Sequence, residues 1–87
     1  MSSIQEVKAG LAQAAQHGNA TTQQIRAATD ALDRMIAGLR AAAAGSGHPL
    51  IGEAISRCEQ SKQHLADAAG LVQGAGEATR NYSGMLG

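Results

Sequence analysis

The chain has 87 residues, enough for one domain, and its seven basic and seven acidic side chains cancel, which leaves no field for nucleic acid and no acidic tail for a basic partner. Apolar residues reach 44%, but half of them are alanine, and one tyrosine with no phenylalanine or tryptophan excludes aromatic stacking platforms and argues against a deep pocket walled by large groups. A single cysteine excludes an internal disulfide framework.

The first element starts at Ser3-Ile4-Gln5-Glu6, a capping-box pattern in which the Ser3 hydroxyl accepts from the Glu6 N–H. From there an apolar series runs in sevens through Ile4, Leu11, Gly18, Ile25, Leu32 and Leu39. A second series, three residues on, reads Val7, Ala14, Thr21, Ala28, Met35 and Ala42. Together they form the two-position stripe of a helix that packs on another helix. The stripe predicts a helix over 3–44, with Gly45 as its stop. Its weak layer is Gly18, where the sequence allows a continuous or kinked helix with close backbone approach, or a break that gives three helices. The heptad phase survives from Leu11 to Ile25, which favours continuity, and one glycine in a helix costs only about 1 kcal/mol against alanine.

Gly45-Ser46-Gly47-His48 is the turn, and Pro49 suits the first position of the next helix, where its missing N–H has no intrahelical partner to lose. The second helix is predicted over 49–83, with a frayed tail at 84–87. Its stripe reads Ile51, Cys58, Leu65, Val72, Thr79 and Leu86, accompanied by Ala54, Ser61, Ala68, Ala75 and Tyr82. A turn this short makes the helices antiparallel. Folding at Ser46–Gly47 makes facing residue numbers sum to about 93, and most layers then pair a large side chain with a small one.

The expected fold is therefore a single all-α domain over 1–87, an antiparallel two-helix hairpin that assembles into a four-helix bundle. The seam inside the hairpin is assigned to Leu11, Ile25, Leu32, Leu39, Ile51, Cys58, Leu65 and Val72. A two-helix hairpin has no second layer over its flank, so Ile36, Leu50, Ile55, Leu71 and Tyr82 are assigned to a strip that a protein partner covers. The charged residues lie mostly off the stripes, and Arg26–Asp30, Asp30–Arg34 and Glu53–Arg57 have the i,i+4 spacing of surface pairs.

The residues offer little chemistry. Cys58 and His64 are six apart and so point to different faces of a helix, whereas helical zinc ligands need spacings of three or four. Cys58 reads as a small core residue, and His17 and His48 as exposed polar side chains. Gly70-x-x-x-Gly74 has the spacing of a helix-contact motif, but in a soluble, polar-flanked segment. No catalytic, cofactor-binding or metal-ligating set is expected, and the chain reads as non-enzymatic. No run approaches the ~18 apolar residues of a membrane span. Met1–Gly10 lacks the basic start and apolar core of a secretory signal, so the expected location is the cytoplasm, or outside the cell by a route without a cleaved signal. Arginine outnumbers lysine five to two, and with the high alanine and glycine this resembles an actinobacterial composition.

The size, the two long helices and the short glycine-containing turn resemble the Trp-x-Gly family of small helical hairpins, substrates or partners of bacterial type VII secretion. The family's Trp-x-Gly turn falls on Gly45-Ser46-Gly47, where Gly47 matches and Gly45 stands in place of tryptophan. Its tail signal, a tyrosine followed at the fourth position by an acid, falls on Tyr82 and Leu86, of which only the tyrosine matches. The resemblance implies a homodimeric or heterodimeric four-helix bundle. With those two departures it implies a co-exported helper, or an adaptor or chaperone that caps a helical segment of a larger secreted protein such as a toxin. The turn, through Pro49, also resembles that of type III secretion needle subunits, which implies a self-polymerising filament. A small cytoplasmic coiled-coil regulator is a third possibility. All three act by association with protein, with no nucleic acid and no membrane insertion.

Overall fold

Residues 3–87 are described by the structure, a computed structural model. Helix α1 spans Ile4–Gly45 and α2 spans Pro49–Met85, with no strand among the described residues. The protein is an all-α helical hairpin.

Each helix begins at a side-chain cap. Ser3 sits in extended backbone, and its Oγ accepts from the Glu6 N–H at 3.1 Å. That bond satisfies one of the donors that a helix start leaves open. At α2 the cap is His48, whose Nδ1 accepts from the Leu50 N–H at 3.1 Å. Pro49 holds His48 in extended backbone (φ −65°, ψ 132°), because the proline ring disfavours the α region for the residue before it. His48, expected from the sequence only as an exposed polar side chain, is thus the cap of α2; histidine is an uncommon cap, and Pro49 is what places it there.

The turn is tighter than the expected 45–48. Gly45 is still helical, and the link is Ser46–His48. The chain leaves α1 through extended Ser46 (φ −154°), and no glycine in the turn has a positive φ. At the far end α2 continues to Met85, two residues past the expected boundary, so Gly84 is helical.

Helix α1 is unbroken through Gly18. The close-approach reading of that layer does not hold either: a Cβ built on Gly18 meets nothing within 4 Å. Thr21 and Thr22 do not start a new helix. Their hydroxyls donate to the His17 and Gly18 carbonyls at 2.8 and 3.1 Å, one turn back within the same helix. Thr29, Ser61 and Thr79 do the same with Ile25, Arg57 and Ala75. Polar side chains near the seam therefore need no partner across it.

The hairpin measures 63 × 18 × 15 Å, with a radius of gyration of 19.5 Å. A compact domain of this length would have a radius near 12 Å. The elongation leaves almost no interior: Ile36 (4% exposed) and Cys58 (6%) are the only buried side chains among the described residues.

Candidate association surface

The buried and half-buried positions of each helix define the seam. On α1 they include Leu11, Ala15, Gly18, Thr22, Ile25, Thr29, Leu32, Ile36 and Leu39. On α2 they include Ile51, Ile55, Cys58, Lys62, Leu65, Ala69, Val72, Gly76 and Thr79. Spacings alternate between four and three, the knobs-into-holes repeat. The register follows from two cross-helix contacts. Lys62 Nζ meets Asp33 Oδ1 at 2.6 Å, and Lys8 Nζ donates to the Gly87 carbonyl at 2.7 Å. Both pairs of numbers add to 95, close to the expected 93.

All eight residues assigned to the seam lie on it. The assignment of the second series needs correction. The companions of the first series stand four residues on, not three. Ile36 and Ile55, placed from the sequence on the outward strip, are seam residues; Ile36 is the most buried side chain of the hairpin. Met35, placed in the seam, is 54% exposed. Leu50, Leu71 and Tyr82 do face outward, at 63%, 77% and 49% exposure.

The shift of phase changes the outer surface. The series three residues on, from Val7 to Ala42 on α1 and from Ala54 to Tyr82 on α2, runs along one flank of the seam. Because the helices are antiparallel, equivalent heptad positions of the two share a flank. This flank carries Met35 and Tyr82, and just outside them Leu50, Leu71 and Met85, five of the six large apolar side chains left exposed among the described residues. The sixth, Ile4, begins the seam itself. Its only charged residue is Arg57, which turns back to Glu53 at 2.7 Å. Arg26, Asp30, Asp33, Arg40, Glu59, Glu77 and Arg80 belong to the other flank. Apart from Arg57, which is paired with Glu53, and the histidines His17 and His64, the hairpin thus has an uncharged side and a charged side.

The charged side is where the helices are cross-linked. Besides Asp33–Lys62, Arg40 meets Glu59 at 3.5 Å. Of the three intrahelical pairs expected from spacing, Glu53–Arg57 forms, whereas the arginines and aspartates at 26, 30 and 34 form none among the described residues. Two shallow grooves of about 380 and 580 Å³ open on this side. The first lies over the Gly18 and Gly76 layer and is bordered by Arg26 and Arg80. It is the gap left where neither helix supplies a side chain.

The hydrogen bond to Asp33 raises the Lys62 pKa above its ordinary value, against some desolvation of the ammonium. A raised lysine value means the folded state holds the proton more tightly. The contribution is complete at neutral pH and is lost as pH climbs through the raised value. Asp33→Asn should bring Lys62 back toward its ordinary range and remove that alkaline dependence. Carbon-13 NMR titration of the Lys62 Cε checks it; an unmoved titration would mean Asp33 is not the cause. The stability change at neutral pH should be small, as for exposed ion pairs.

Cys58 is a free, buried thiol on the seam. Gly70 and Gly74 face solvent with open space around them, so their spacing marks no contact within the hairpin. Among the described residues no three of His, Cys, Asp and Glu gather in a metal-binding arrangement, and neither helix is long and apolar enough to cross a membrane. No protein-family model matches the chain, and neither the comparison with curated proteins nor that with solved structures gave a match.

Proposed function

We propose that this protein is a non-enzymatic association module, which acts by laying its uncharged flank against helices of a protein partner. The observation that carries this reading is the near absence of an interior: two buried side chains among the described residues of a 63 Å hairpin, with large apolar groups gathered on one side. Apolar burial is the main favourable term in folding, and a helix pair that leaves Leu71 and Tyr82 in water has not completed it. The resemblance to small Trp-x-Gly hairpins supports a narrower version, a type VII secretion-like substrate, adaptor or chaperone that pairs with itself or with a helical segment of a larger secreted protein.

Thermal unfolding followed by far-UV circular dichroism, from about 1 to 200 μM, tests the broader reading. An association module should be marginal by itself: the melt is broad at low concentration, and sharpens only when a second helical chain is bound. A steep melt at high temperature, identical at every concentration and with monomeric mass throughout, would show a self-sufficient domain and overturn it.

A further inference from the structure

Resting on the association reading above, but on the other flank, we infer that the groove over the Gly18 and Gly76 layer receives an acidic side chain of a protein partner, its carboxylate held between Arg26 and Arg80. The groove is lined by α1 from Ala15 to Arg26 and by α2 from Ala69 to Arg80, so in the antiparallel register the two arginines close its opposite ends. Side chains of a helix lean toward the N-terminus of their own helix. The two arginines therefore lean inward over the groove from opposite directions. For Arg80 a close approach shows it: a Cβ at Gly76, one turn back, would lie 3.4 Å from Arg80 Nη1. The glycine leaves the guanidinium room to lie across α2 at the gap.

Neither arginine is engaged inside the hairpin. Asp30 stands one turn from Arg26 and Glu77 one turn from Arg80, yet neither arginine forms an ion pair among the described residues. Among those residues no carboxylate lines the groove. Two like charges thus converge in a chain whose formal net charge is zero, and an anion between them relieves their repulsion. The guanidinium fork matches the two oxygens of a carboxylate. Asn19 and Gln73 add amide donors, while Ile25 and Val72 give the groove an apolar floor. The site suits a carboxylate carried on an apolar stem better than a bare ion.

The shallowness of the groove, about 380 Å³, points to a protein as the source. Pockets for free small molecules enclose most of the ligand's surface. A side chain of a partner already lying along the hairpin needs no such enclosure, because neighbouring contacts hold it at high effective concentration. A nucleic acid is the poorer fit, since it needs a run of free cations. The next basic side chains toward the turn, Lys62 and Arg40, are already paired with Asp33 and Glu59.

The test is an NMR titration of the nitrogen-15-labelled full chain, read at the Nε–H groups of Arg26 and Arg80 and at the Gly76 amide. The probes are the acetylated, amidated peptide Ser-Leu-Glu-Ala-Ser, its counterpart with Gln in place of Glu, and inorganic phosphate. The Glu peptide should shift all three signals together and saturably. It should bind at least about tenfold tighter than the Gln peptide or phosphate, the size expected of hydrogen bonds to a charged group. Arg26→Gln and Arg80→Gln should each weaken it at least about fivefold. Arg34→Gln, at an exposed arginine outside the groove, should weaken it less than about twofold, with equal helicity by circular dichroism in all variants.

No saturable shift up to about 20 mM, or equal binding of the two peptides, overturns the inference. So does tighter binding of phosphate, which would make the groove a phosphoryl site, and so does binding that survives both arginine substitutions. The outcome is separable from the association reading. A chain that melts as a self-sufficient monomer yet binds the Glu peptide here loses the apolar flank as a docking face and keeps the groove. A chain that needs a helical partner to fold but ignores the peptide keeps the flank and loses the groove.

Discussion

Ile36→Ala should lower the unfolding free energy by about 2–4 kcal/mol, the range for truncating a fully packed isoleucine, while Met35→Ala next to it should cost under about 1 kcal/mol. Ile36 is 4% exposed and Met35 54%, so the two substitutions remove similar amounts of side chain from opposite environments. Ile36→Asp should abolish the folded hairpin. In the observed register Ile36 faces the buried Cys58, and desolvating a carboxylate in that layer costs more than a small domain can absorb. Urea unfolding at protein concentrations dilute enough that the hairpin is unassociated, with equal slopes for the variants, is the measurement. A larger loss for Met35→Ala than for Ile36→Ala would put the seam back on the three-residue spacing and void the assignment of the flanks.

The second large effect has the opposite sign. Gly18→Ala with Gly76→Ala should stabilise the hairpin by about 2 kcal/mol, roughly 1 kcal/mol at each site from helix propensity alone. Both sites have ordinary helical backbone. A Cβ at Gly18 meets open space, and one at Gly76 meets only the flexible end of Arg80, at 3.4 Å. The new methyls would occupy part of the groove above this layer and add some burial. A rise in melting temperature should follow with the association state unchanged, because this layer opens on the charged side. Destabilisation by the double variant would show that the two helices approach more closely here than the open groove allows.

These contrasts also show what could be read from the residues. Helices, turn and register were legible because strong local signals agree: Ser3 three residues before Glu6, Pro49 after a glycine-rich turn, and Leu11, Ile25, Leu32 and Leu39 in step. The companion series was not legible because adjacent residues on α1 and α2 are near twins. Ala14–Ala15, Thr21–Thr22 and Ala68–Ala69 satisfy a three-residue and a four-residue spacing equally. Ile36 beside Met35 and Ile55 beside Ala54 carry the distinction, since in both cases the isoleucine stands four residues on. Weighing those two layers above the alanines would have placed Ile36 and Ile55 inside and exposed the uncharged flank. The cross-helix partners of Asp33 and Arg40 could not be found from spacing along one helix. They depend on the register between two helices, and Lys62 occupies a seam position that a polarity pattern assigns to solvent.

The unequal packing of the two ends has a consequence for how the molecule opens. Toward the turn, Ile36 and Cys58 are buried, Leu39 and Ile55 close the next layer, and both cross-helix ion pairs are found there. Beyond the Gly18 and Gly76 layer, the half-buried side chains are Ala15, Thr79, Leu11, Ser83, Val7 and Leu86, and the one polar cross-link among the described residues is Lys8 to the Gly87 carbonyl. The hairpin behaves as a zipper fastened at the turn. Its free ends part first and most often, in local openings that leave the turn half closed. Amide protons near Ile36 and Cys58 should be the last to exchange with solvent, and those near the open end of the hairpin the first.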